Sequence, residues 1–278
     1  DTGPHLFPSG PPHNVKVIDC KGYCLAPGLI DMRVHLPEPG GEHKESFETA
    51  SAAAAAGGVT SLICLPDTDP AIDNVSVIEF IARRARETNI VKIYAYGAIT
   101  RGLEGNELTE FGILSEAGAL AFTDAARAIA DTLVMRRVLS YASTFDLLIV
   151  QHPEDPRLAR NGQMTEGEMA TRLGLAGIPA VAEVMMLERD LRLVELTGAR
   201  YHAAHITTAA ALDVIRAAKY FDGVFAADRW RAAIGHLRYC AALLHADGCG
   251  NRGLPDLRKS LAAPALRGGQ ARRYRGAP

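Results

Sequence analysis

Short apolar runs alternate with helical segments along most of the chain, and this alternation limits the possible folds more than any other feature of the sequence. The apolar runs are rich in aliphatic and β-branched residues, as buried parallel strands are. They lie at residues 29–34, 60–65, 91–99, 119–123, 147–151 and 201–206. Segments with helical periodicity lie at residues 44–57, 74–88, 105–117, 126–144, 180–197 and 208–219. Repeated βα units predict a parallel α/β fold, either a (β/α) barrel or a doubly wound sheet.

Polar residues that could carry chemistry follow these predicted strands directly. They are His35, Asp67, Asp124, His152 and His205. In a TIM-type barrel such residues project from the carboxyl ends of the strands onto the face where barrels do chemistry. A single histidine at a strand end is more often a hydrogen-bonded loop residue than a ligand, but three neutral imidazoles in one barrel opening are how a catalytic zinc is held. The placement therefore favours a TIM-type barrel and predicts His35, His152 and His205 as metal ligands.

The overall composition is that of an ordinary globular protein. Apolar residues make up 48% and charged residues 22%, and the net charge of -2 gives no overall electrostatic footprint for nucleic acid or an anionic membrane. The apolar stretches are shorter than the roughly 18 residues that a membrane span needs. The five cysteines form no CxxC pair and are too few for a disulfide framework. We therefore expect a cytoplasmic protein with neither nucleic-acid nor membrane partners.

The two ends of the chain differ from its middle. Residues 1–13 are rich in Pro and Gly and lack the regions of a signal peptide, so they are interpreted as a loose leader. Residues 223–278 carry ten Lys or Arg against three Asp and no Glu. This segment is either a basic arm for acidic partners, a weakly folding tail or a stretch translated out of frame. We expect it not to complete an ordinary barrel.

An ordered series of motifs runs from about residue 15 to 219. It comprises APGLIDMRVHLPEPG at 26–40, LPDTDP at 65–70, AFTD at 121–124, QHPED at 151–155, LAGIP at 175–179 and HAAHIT at 202–207. In this order the motifs resemble those of dihydroorotases, which belong to the amidohydrolase superfamily. The resemblance implies a metal-dependent (β/α)₈ barrel with a small β-sandwich built from both chain ends. It also implies interconversion of carbamoyl-aspartate and dihydroorotate, a small-molecule reaction of pyrimidine biosynthesis.

The resemblance implies a two-metal site, which this chain matches only in part. The family pattern has an HxH pair after the first strand, a bridging carboxylate or carbamylated lysine after the fourth, histidines after the fifth and sixth, and a proton-transferring aspartate after the eighth. His35, His152 and His205 match ligand positions, with zinc as the implied metal. Asp67 stands at a substrate-binding position where the family has asparagine.

Three family positions are substituted. Arg33 replaces the first histidine of HxH, Pro37 replaces the arginine for the substrate carboxylate, and Ala125 replaces the bridging carboxylate. A guanidinium keeps its charge and cannot coordinate a metal, so we expect at most one weakly bound zinc and an ion pair between Arg33 and Asp124. Beyond about residue 222 neither the seventh-strand substrate loop nor the eighth-strand aspartate is found.

Several functions remain open from the sequence alone. The chain is predicted to be a dihydroorotase-type hydrolase of weak or lost activity, or a non-catalytic dihydroorotase-like subunit that associates with aspartate transcarbamoylase, and in either case a homo-oligomer. A truncated or frame-disturbed copy of an enzyme, and a purely binding or structural barrel, are further alternatives. The predicted domains are 1–27, a leader with the remnant of the sandwich, 28–222, a (β/α) barrel portion incomplete at both ends, and 223–278, an Arg/Ala/Gly-rich segment.

Overall fold

The structure is a computed structural model and describes a continuous stretch of the chain together with a few positions before it. The described residues are 7–8, 10, 12–18, 22–23 and 26–220. The segment 223–278 and part of the leader 1–27 lie outside the described residues. The expectations for the C-terminal segment and for the domain boundaries therefore stay predictions.

Eight strands are present in the described residues. They are β1 (Leu29–Val34), β2 (Val59–Cys64), β3 (Lys92–Gly97), β4 (Ala119–Phe122), β5 (Leu148–Gln151), β6 (Met164–Thr165), β7 (Gly177–Ile178) and β8 (Arg200–Ala203). Six of them form one parallel sheet in the order β1-β2-β3-β4-β5-β8, while β6 and β7 pair with each other. Each predicted strand corresponds to one strand of the large sheet, so the parallel α/β prediction is confirmed.

Helices separate the strands of the large sheet. They are α1 (Phe47–Ala56), α2 (Val75–Thr88), α3 (Phe111–Glu116), α4 (Thr132–Thr144), α5 (Glu168–Leu173), α6 (Val181–Thr197) and α7 (Ala209–Tyr220). The predicted helices match six of these. The segment β6-α5-β7 between β5 and α6 was not predicted. Its strands are two residues long and are too short for periodicity to reveal. Across the part of the chain that the structure describes, no helix has the length and apolar character that a membrane span needs.

The helices pack on one face of a curled, half-barrel sheet. The main core contains residues from both helices and strands, including Ile81 of α2, Leu139 of α4 and Leu187 of α6, all nearly inaccessible to solvent. A second, smaller cluster contains no helical residue and includes Tyr96 of β3 and Val150 of β5. Alternate side chains of a strand point to opposite faces, so the smaller cluster lines the face that the helices leave uncovered.

A buried carboxylate joins α6 to the sheet. Asp190 is fully buried and accepts hydrogen bonds from the Tyr201 hydroxyl of β8 at 2.8 Å and from the Arg189 guanidinium at 2.7 Å. Arg189 also donates to the carbonyl groups of Ile129 and Ala130. A buried charge is tolerated when it is paired and hydrogen-bonded in this way. The network fixes α6 against β8 and against the loop before α4.

Two equivalent truncations on α6 test the packing of this helix. Leu187→Ala removes a side chain with 0% exposure, whereas Leu196→Ala removes one that is 65% exposed. We expect the first change to lower the free energy of unfolding by about 2–5 kcal/mol because it leaves a cavity. The second should change it by less than about 0.5 kcal/mol. Urea denaturation measures both, and equal losses would contradict the assignment of the buried face.

Candidate functional site

The strand ends of the large sheet bring the predicted site residues to one edge. We call this the carboxyl edge and define it by Arg33, His35, Asp67, Ala125, His152 and His205. All six strands run parallel, so their carboxyl ends face the same way. The residues nevertheless fall into separate groups within this edge.

The first group contains His35 and Asp67, which follow the paired strands β1 and β2. The His35 Nδ1 atom lies 3.1 Å from Asp67 Oδ2. The other carboxylate oxygen, Oδ1, is buried and has no hydrogen-bond partner among the described residues. Asp67 therefore orients His35 and retains one acceptor that a bound donor group could satisfy.

The second group contains His152 and His205, which follow the paired strands β5 and β8. Their Nδ1 atoms lie 3.1 Å apart, and their ring centres are 5.0 Å apart at an interplanar angle of 64°. One nitrogen must donate and the other must accept, so at least one ring is neutral in this contact. The structure thus brings two of the three predicted ligands into direct contact. Their role as metal ligands stays a prediction.

Arg33 connects the end of β1 to the loop after β4. Its Nη2 atom donates to the Ala125 carbonyl oxygen at 3.1 Å, and the side chain is partly buried. Burial lowers the pKa of Arg33, and the nearby Tyr96 and Asp67 raise it. An arginine remains protonated under all ordinary conditions. The carboxyl edge therefore contains a fixed positive charge at a position where the family pattern has a metal ligand.

The prediction of an ion pair between Arg33 and Asp124 is wrong. Asp124 is buried and accepts hydrogen bonds from the backbone N–H groups of Ile99 and Thr100 at 2.8 and 3.0 Å, and from the Thr100 hydroxyl. Burial raises the pKa of Asp124 despite these hydrogen bonds. The carboxylate faces these donors in the loop after β3, so it is a structural link between neighbouring strands. Arg33 bonds the next residue, Ala125, instead.

Two histidines near Arg33 have a lowered pKa. The pKa of His205 is lowered to about 4, mainly by desolvation and in addition by the nearby Arg33, His152 and His202. Burial and Arg33 also lower the pKa of His202. His202 was not predicted as a site residue, although its place in the HAAHIT motif, three residues before His205, was a signal that could have identified it.

A two-metal centre does not fit the residues that are present. Arg33 brings a cation and Ala125 brings a methyl group to positions where the family pattern has ligands. Among the described residues, no group of three or more His, Cys, Asp or Glu side chains is placed to hold a metal ion. His35 pairs with Asp67, whereas His152 and His205 contact each other. The predicted three-histidine set is therefore divided between two contacts.

Comparison with protein families assigns the chain to a family. A family model described as dihydro-orotase-like matches residues 22–211. The chain belongs to the dihydroorotase-like family. It is 48% identical over 208 residues to a dihydroorotase of Syntrophus aciditrophicus, a match that covers 75% of this chain and 49% of the relative. It is also 48% identical over 220 residues to a dihydroorotase of Syntrophobacter fumaroxidans, covering 79% and 50%. The chain spans about half the length of the curated relatives it matches.

Solved structures agree with this family at the level of the fold. The L-hydantoinase of Arthrobacter aurescens matches with a TM-score of 0.56 at 22% identity, covering 69% of this chain and 44% of the hydantoinase. A Saccharomyces cerevisiae dihydroorotase in complex with 5-fluoroorotic acid matches with a TM-score of 0.52 at 16% identity, covering 71% and 53%. The prediction of a TIM-type barrel portion is confirmed, and the doubly wound alternative is not needed.

Removal of the Arg33 charge should change the titration of His205. We expect Arg33→Met to raise the His205 pKa from about 4 towards its ordinary value of about 6.5. The rise should be incomplete because desolvation, the larger cause, remains. NMR of ¹³C-labelled histidine rings measures the change, and Arg137→Met on the exposed face of α4 is the control.

The same variant should alter the acid stability of the chain. The unfolded chain binds the His205 proton at a higher pH than the folded chain does, so the free energy of unfolding falls as the pH drops from about 6.5 towards 4. Arg33→Met should make this fall shallower, and Arg137→Met should not. A His205 pKa that is unaffected by loss of Arg33 would contradict the electrostatic role of this arginine.

Proposed function

We propose that this chain is a cyclic amidohydrolase of the dihydroorotase family with strongly reduced activity. The proposed reaction is the interconversion of dihydroorotate and carbamoyl-aspartate, a step of pyrimidine biosynthesis, in the cytoplasm. The names of the curated relatives support the reaction class. The hydrogen bond from Arg33 to the Ala125 carbonyl is the observation that supports the proposal of reduced activity. This hydrogen bond pairs a permanent cation with a backbone oxygen at two positions where the family pattern has metal ligands.

Opening a cyclic amide at neutral pH requires an attacking hydroxide equivalent and stabilisation of the oxyanion that forms. A bound divalent metal supplies both. In this chain the Arg33 guanidinium could stabilise developing negative charge. A neutral imidazole of the contacting pair His152 and His205 could accept a proton. Pro37 offers neither charge nor a donor to a substrate carboxylate.

Any metal is proposed to be a single, weakly held zinc with His35, His152 and His205 as its ligands. Three neutral imidazoles are the number that catalytic zinc sites use. Binding would require the separate contacts of these histidines to rearrange, because His35 faces Asp67 while the other two face each other. The positive charge of Arg33 opposes a dication nearby.

A second candidate is a non-catalytic subunit that associates with aspartate transcarbamoylase. The arrangement around Arg33 and Ala125 favours it, because site positions are replaced while the surrounding fold of the family is kept. In this case the carboxyl edge is retained for its structure, and the chain acts as a homo-oligomeric scaffold for its partner. The two candidates differ in turnover, which is measurable directly.

The deciding assay is dihydroorotate turnover with added zinc. We expect activity at least about a thousandfold below that of a dihydroorotase with the full set of site residues. Loss of a positioned acid or base costs about 10²- to 10⁴-fold, loss of an electrostatic stabiliser costs about 10²- to 10³-fold, and the two losses need not add. His152→Ala should abolish residual turnover, and the exposed control His43→Ala should leave it unchanged.

The outcomes of this assay separate the candidates. Weak turnover that is lost in His152→Ala supports the attenuated enzyme, whereas no turnover in any form of the chain supports the scaffold. Robust turnover that is abolished by His152→Ala would show that the missing groups are supplied from elsewhere, and it would overturn both proposals.

A further inference from the structure

A buried carboxylate on α6 accepts hydrogen bonds from the loop that carries His205. Glu183 lies in the first turn of α6 and is 8% exposed. Its Oε2 atom accepts hydrogen bonds from the Thr207 backbone N–H at 2.8 Å and from the Thr207 hydroxyl at 2.9 Å. Its Oε1 atom accepts from the Thr208 backbone N–H at 3.0 Å and from the Thr208 hydroxyl at 2.6 Å. Both carboxylate oxygens are thus used on two consecutive loop residues.

The loop that carries His205 has an unusual backbone conformation. His205 adopts a left-handed conformation with φ of 57°. Residues other than glycine rarely occupy this region, and they stay there only when their surroundings hold them. The Thr208 hydroxyl also accepts a hydrogen bond from the Ala211 backbone N–H, at the start of α7. The loop is therefore fixed two and three residues after His205 by the Glu183 carboxylate.

The same face of α6, about two turns further along the helix, is fixed to the strand that precedes the loop. Asp190 on α6 accepts a hydrogen bond from Tyr201 of β8. The carboxylates of Glu183 and Asp190 consequently hold the chain on both sides of His205, one before it and one after it. Of these two carboxylates, Glu183 alone hydrogen-bonds to the loop itself.

We propose that Glu183 is the positioning residue that places the His205 ring against His152. This role goes beyond the proposed function, since it concerns the geometry of the histidine pair whether or not the chain turns over substrate. Burial raises the pKa of Glu183, but the hydrogen bonds from Thr208 and Thr207 lower it overall. The ionised carboxylate can accept from all four donors, whereas a carboxamide can accept only at its single oxygen.

The test is the cross-relaxation between the ring protons of His152 and His205 in histidine-labelled full-length protein. Replacement of His205 by alanine identifies the signal. Glu183→Gln keeps the size of the side chain and loses the acceptor for one threonine, so we expect the cross-peak to weaken at least about threefold. Glu188→Gln makes the same chemical change at an exposed position of α6 and should leave the cross-peak unchanged.

A second variant covers the case in which Glu183→Gln does not fold. Thr207→Val keeps the shape of the side chain but removes one of the four donors, and it should weaken the cross-peak less than Glu183→Gln does. An unchanged cross-peak in folded Glu183→Gln, or in Thr207→Val if the first variant is unfolded, would overturn the proposal. Equal weakening in Glu188→Gln would overturn it as well. Each of these readouts is independent of turnover.

Discussion

In a parallel sheet the carboxyl ends of all strands face the same way, and the site of this chain depends on that constraint. Helices pack on one face of the six-stranded sheet, and the strand ends gather residues that are far apart in sequence. The contact between His152 and His205 spans 53 positions, and the bond from Arg33 to Ala125 spans 92. Such contacts arise from the fold and not from local sequence.

The charge of Arg33 determines the chemistry that this edge can support. It binds the Ala125 carbonyl and contributes to the neutral state of His205, whose pKa is lowered first by desolvation and then by this cation. Neutral imidazoles can accept protons or bind a metal, but the adjacent guanidinium opposes the metal. Family membership and weak catalysis are thus compatible, because the fold is kept while the charge at its functional edge is altered.

Most of the fold could be predicted from the sequence because each strand of the large sheet is a distinct apolar run. The sequence did not reveal β6 and β7, whose two-residue strands carry no period. It was wrong about the partner of Asp124, because the backbone N–H groups that bind this carboxylate come from a neighbouring strand end and leave no sequence signal. The hydrogen bonds of Glu183 were likewise invisible, because they depend on how α6 packs beside β8.

We propose that Arg33 acts as the resident cation of the carboxyl edge and prevents a two-metal centre. The most direct measurement is the number of zinc ions per chain, determined by elemental analysis after equilibration with excess zinc and removal of unbound metal. We expect at most one zinc in the unmodified chain. We also expect fewer than two in Arg33→His, because Ala125 still lacks a bridging carboxylate. Two tightly bound zinc ions in the unmodified chain would show that Arg33 does not exclude a second metal.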